Sequence, residues 1–149
     1  SMYTYWKRSA PAPSMTIFDA PTREKCSMRR SRTNTPLQAL VTLNDPQFVE
    51  AARVLEQRTI TEGGQTVDEQ IAYAYRLATG VTAKLSTISV LKSAYDEELA
   101  VFQADAERAK KLLAIGESKR DENIDPAQHA AMSVVCSMIL NLDAVITRG

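Results

Sequence analysis

The chain has 149 residues, 44% hydrophobic and 24% charged, and eighteen basic groups cancel eighteen acidic ones. That length suits one domain able to bury roughly two-thirds of its unfolded surface, and the composition is ordinary for a globular protein. A zero net charge argues against a nucleic-acid surface, which carries a clear basic excess. The longest nearly uncharged run, residues 130–142, is shorter than the about 20 residues that cross a bilayer, so no membrane span is expected.

Charge is unevenly placed. Residues 1–32 hold seven basic groups against Asp19 and Glu24, leaving eleven basic against sixteen acidic groups in the rest. A basic leader beside an acidic body predicts an arm that folds back on its own domain. Four of the six prolines fall in the first 36 residues, and "APAPS" favours extended or polyproline geometry. Residues 1–35 are therefore read as an extended arm docking on a helical body that occupies 36–149. The opening "SMYTYWKRSAPAPSM" lacks the basic-then-apolar pattern of a secretion signal and reads as the interior of a larger protein.

From Thr35 onward the pattern is helical. Thr35 is an N-cap with Pro36 at the first helical position, and Leu37, Leu40 and Val41 follow as the apolar side. Asp45 and Pro46 repeat that signal, so one short helix ends near Asn44 and a second runs to about Arg58. Glu62-Gly63-Gly64 is a break. Thr66 and Glu69 form a capping box, and their helix places Val67, Ile71, Ala74, Tyr75 and Ala78 on one face before Gly80 ends it.

Ser86 can cap the next helix, whose Ile88, Leu91, Tyr95, Leu99 and Phe102 form a stripe. Asp105 starts a short helix ending at Gly116, and "ESKRDENID" is a loop. Asp125 and Pro126 open a last, nearly wholly apolar helix, with Ala127, Ala131, Val134, Met138, Leu142 and Val145 inward and Val135, Cys136 and Ile139 widening the stripe. Such a helix belongs at a bundle's centre. No alternating strand pattern competes, so the expectation is an all-α bundle of about six helices wrapped by the extended, proline-rich, basic arm.

Cys136 reads as a buried small hydrophobe and Cys26 as an arm residue; a bond between them is open in an oxidising compartment. With one histidine, His129, and neither CxxC nor CxxCH, a protein-ligated metal or c-type haem within this chain is not expected. His129, on the first turn of the last helix, is read as exposed.

The stretches "YTYWKR", "PSMTIFDAPTREKC", "RRSRTNTPLQALVTLNDPQFVEAARVL", "AYRLATG", "LLAIGES" and "ILNLDAVITR", in this order, cover nearly the whole chain. They resemble the C-terminal part of the family catalogued as domain of unknown function 1553, found in planctomycete-type cytochrome c proteins. The resemblance implies a module of a large extracytoplasmic protein, periplasmic or in the cell envelope, whose partners are neighbouring domains of the same polypeptide. Haem c would sit on a separate domain. A link to redox chemistry or polysaccharide breakdown is part of the same implication, but no activity is established for the family.

Two readings stay open for the arginine cluster. Arg29, Arg30 and Arg32, with Asn34, Thr35 and Gln38, lie where a helix start offers free N–H groups, which suits a carboxylate, sulfate, phosphate or partner domain. The bland reading is a brace between the arm and acids of the body such as Asp45, Glu50 or Asp143. Tyr3, Tyr5 and Trp6 suggest a carbohydrate-stacking platform, though docking of the arm explains them more simply. Asp96, Glu97 and Glu98 read as a solvated face. No nucleophile, base and orienting group come together in the sequence, so no catalytic residue is assigned. The function expected is a structural or interaction module. The alternative is part of an active or ligand-binding site completed by other domains.

Overall fold

The computed structural model describes residues 5, 7, 9–29 and 33–146. These form helices and loops with no strand: α1 (Pro13–Ile17), α2 (Pro36–Asn44), α3 (Pro46–Glu62), α4 (Val67–Thr79), α5 (Leu85–Ala104), α6 (Ala106–Leu113), α7 (Pro126–Leu140) and α8 (Asp143–Ile146). The all-α architecture expected from periodicity is the one observed.

Most helix starts are dictated locally. Thr35 and Gln38 close one capping box and Thr66 and Glu69 another, while the side chains of Asp45, Asp105 and Asp125 each accept a bond from a first-turn amide. Pro36, Pro46 and Pro126 sit where a helix has no use for an N–H. Gly80 ends α4 at φ 78°, the left-handed conformation that glycine adopts without strain.

Several boundaries differ from expectation. The "APAPS" stretch is not wholly extended, because Pro13 takes the N1 position of α1. α3 runs a turn beyond Arg58, where Arg58 forks onto Glu62 at 3.0 to 3.3 Å and both meet the Tyr73 hydroxyl of α4. α5 begins at Leu85, so Ser86 lies inside its first turn instead of capping it.

α7 packs against α2 to α6 and forms the centre of the bundle. Met132, Val135, Cys136 and Ile139 from α7 meet Ile71 and Ala74 of α4, Leu91, Tyr95 and Phe102 of α5, and Ala109 and Leu113 of α6. The expected inward stripe is therefore rotated. Met138 is 41% exposed, and the positions taken as its widening are the innermost. The helix also ends before Asn141, so Leu142 lies in the turn that leads into α8 and Val145 within α8 itself.

α2 buries polar residues and exposes leucines. Its buried residues are Gln38 and Thr42, while Leu37, Leu40 and Leu43 are 53%, 58% and 44% exposed. The reason is a set of specific bonds. The Gln38 amide donates to Ile17 O (2.8 Å) and Thr33 Oγ1 (3.1 Å), and Thr42 Oγ1 donates to Asn141 Oδ1 (2.7 Å). Buried polar groups with partners hold the helix in an orientation that hydrophobicity alone would not select.

Candidate functional site: a buried ionic cluster between α3 and α7

α3 turns Ala52, Arg53, Glu56 and Thr59 inward, three of them polar and all at helical spacing. α7 answers with His129, Ser133 and Cys136 along one side. Glu56 and His129 are both fully buried, with His129 Nε2 2.6 Å from Glu56 Oε2. The two groups meet at contact distance without a well-aligned hydrogen bond. The reading of His129 as exposed is overturned. Its place one turn into a central helix aims it at α3, not at water.

Burial drives the Glu56 carboxyl above its ordinary range, and Asp121 adds to the rise. His129 first, then Arg53, pull in the other direction without cancelling it. Arg53 is 2% exposed. Its Nη2 donates to Ser118 O at 2.7 Å and stands 3.9 Å from Glu50 Oε1, while Nε and Nη1 have no protein acceptor. Glu56 Oε1, His129 Nδ1 and Ser133 Oγ are also buried without a partner. Such atoms carry a desolvation cost of about 1–3 kcal/mol each unless water or a ligand satisfies them.

Glu50, one turn before Arg53, clamps the loop after α6. It accepts from the amides of Glu117 (3.1 Å) and Ser118 (2.6 Å) and from the Ser118 hydroxyl, and these bonds, that hydroxyl foremost, hold its carboxyl below the usual range. The clamp requires Gly116. It sits at φ +97°, and an added Cβ would fall 2.5 Å from the Glu50 carboxyl carbon.

The residues singled out at the start of α2 make internal bonds. Asn34 Nδ2 donates to Asp143 Oδ1 at 2.7 Å, Thr35 caps the helix, and Gln38 reaches back to Ile17. Arg29 is exposed, and Arg30 and Arg32 lie outside the described residues. Tyr5 is exposed, while Tyr3 and Trp6 are likewise outside the described residues. The arm also meets the body through Phe18 and Phe48, whose ring centroids are 6.0 Å apart. Both cysteines are free, Cys26 exposed and Cys136 buried, so they form no bond with each other.

Glu56 and His129 were missed from the sequence as a pair because nothing local joins them. The available signal was an acid at the inward spacing of a helix and a lone histidine in an otherwise apolar one. Sealed from solvent, the pair cannot hand a proton to an outside substrate. Among the described residues no group of three His, Cys, Asp or Glu side chains could hold a metal ion.

What the fold and cluster define is an all-helical domain with a cluster of buried polar side chains between α3 and α7. Residues 1–95 match the family model described as PSD1, a protein of unknown function (DUF1553), and the chain belongs to that family. The match ends within α5, short of the near-complete coverage expected, so α6 to α8 lie beyond it. Comparison with curated proteins and with solved structures found no match.

Proposed function

We propose that this chain is a non-catalytic interaction module of a larger extracytoplasmic protein, seated against a neighbouring domain of the same polypeptide. The observation that carries the reading is the outward ridge of α2, where Leu37, Leu40 and Leu43 stand exposed. The ridge continues into a groove of about 680 Å³ between α2, α5 and α7, lined by Leu43, Val90, Met138 and Leu142 with Ser86 and Asn141. Among the described residues no charged side chain lines that groove, in a chain that is 24% charged. An uncharged, apolar recess of this kind suits an equally apolar partner surface.

Family membership supports a partner in the same polypeptide, as does the internal use of the quoted motifs. "RTNTPLQAL" meets "ILNLDAVITR" through Asn34–Asp143 and Thr42–Asn141, and "LNDPQFVEAAR" meets "LLAIGES" through Glu50 and Arg53. These residues hold the domain together and leave its apolar face for docking. In this reading haem c, and any role toward polysaccharide or an anionic ligand, belongs to the whole polypeptide. Within the arginine cluster the described member, Arg29, is exposed.

The test is Leu37→Glu with Leu40→Glu. The isolated chain should keep its unfolding midpoint to within about 0.5 kcal/mol, as exposed substitutions do. The full-length polypeptide should release this module faster under limited proteolysis. Unchanged proteolysis with both substitutions in place would refute the docking.

A further inference from the structure

A cavity of about 160 Å³ lies between α2, α3, α6 and α7. Its wall is mostly apolar, with Val49, Ala52, Leu112 and Val134 among its members, and its polar residues are Arg53, Ser133 and Ser137. Arg53 and Ser133 are at least nine-tenths buried, and both keep polar atoms that no protein atom satisfies: Nε and Nη1 of Arg53 and Oγ of Ser133. Glu50 is held by Ser118 and Glu117 and lies 3.9 Å from the guanidinium, and Glu56 faces His129. The wall therefore combines a benzene-sized apolar space with a buried guanidinium two of whose nitrogens lack a protein acceptor.

We propose that this cavity binds a small carboxylate with a compact apolar body. The planar guanidinium fork matches a carboxylate in shape and charge, and the Ser133 hydroxyl supplies a second donor. The apolar walls take the aromatic or branched remainder of the ligand, whose burial adds affinity. Neither Arg53 nitrogen has to give up a protein acceptor when the ligand enters. The cavity shares Leu43 and Met138 with the docking groove, but its unsatisfied donors come from α3 and α7, and the docking test substitutes neither Arg53 nor Ser133.

Benzoate and its neutral counterpart benzamide separate the contributions. The intact chain would be titrated with each, by calorimetry and by amide and arginine Nε–H nuclear magnetic resonance. Benzoate should bind with shifts confined to the residues around Arg53 and Ser133, and benzamide should bind about tenfold more weakly or worse, the value of a charge-assisted bond. Arg53→Met should erase that preference. Because this variant removes a buried cation and can unfold the chain, Ser133→Leu serves as the second test. It fills the cavity while keeping Arg53, and it should abolish benzoate binding in a folded protein. The site is refuted by a folded parent that ignores benzoate, by equal affinity for the two probes, or by benzoate binding that survives Ser133→Leu.

Discussion

A carboxyl group and an imidazole buried 2.6 Å apart depend on each other. Removing one partner leaves the other in a low-dielectric interior with nothing to balance it, at a cost of about 3–5 kcal/mol, whereas replacing both by apolar groups of similar volume is often neutral. Glu56→Leu and His129→Leu should each destabilise strongly, and the double variant much less than their sum, in urea unfolding of the four proteins of the cycle. Additive losses would show that the two side chains are not coupled. Gly116 is a second residue whose identity follows from a single contact. Alanine there meets both an unfavourable φ and the Glu50 carboxylate. Gly116→Ala should lower stability by about 2 kcal/mol or more, and Glu50→Gln should weaken the same loop, seen as faster exchange of the Glu117 and Ser118 amides.

Among the elements, α2 shows how far packing can override a hydrophobic pattern. Its capping box and N1 proline fix where it starts, but the bonds of Gln38 and Thr42 decide which side faces in. Thr42→Val keeps the shape and removes the bond to Asn141, leaving that amide short of a partner. A loss of about 1–2 kcal/mol is expected in thermal or urea unfolding; a stability gain would mean that apolar burial governs the helix after all. The starts of α3, α4 and α7 were legible in the sequence because a cap, a proline or a glycine acts over three or four residues. The inward set of α7 was displaced because five other helices surround it, and a nearly all-apolar helix carries little pattern to say which side is innermost.

For the whole molecule, opposing carboxylates shape the response to pH. Glu50, Glu62 and Glu69 are lowered by hydrogen bonds, so their stabilisation is present above the ordinary value of 4.5 and lost as pH falls through their folded values. Glu56 is raised by burial, so its protonated form favours folding. Its contribution is complete below 4.5 and is lost as pH rises through its folded value. Urea midpoints measured from acid to neutral pH should show Glu50→Gln flattening the acid limb and Glu56→Gln flattening the fall above it. Two unchanged limbs would contradict the assignment. The cysteines report the same cooperative unit. Cys26 is exposed, while burial, helped by Glu56, pushes the Cys136 thiol far above its ordinary value. A maleimide should therefore label Cys26 at once and Cys136 only when the bundle opens, as resolved by mass spectrometry with and without urea.

Local chemistry in the amino-acid sequence determined that this protein is helical, where most of its helices begin, which helix is most apolar, and which motifs mark its family. Those features act between residues a few positions apart, so they can be read without knowing the fold. Tertiary structure alone decided that His129 meets Glu56, that Arg53 is buried with donors to spare, and that α2 turns its leucines outward. Each depends on residues tens of positions apart, and the energy of a polar group is set by whether a partner arrives from another helix.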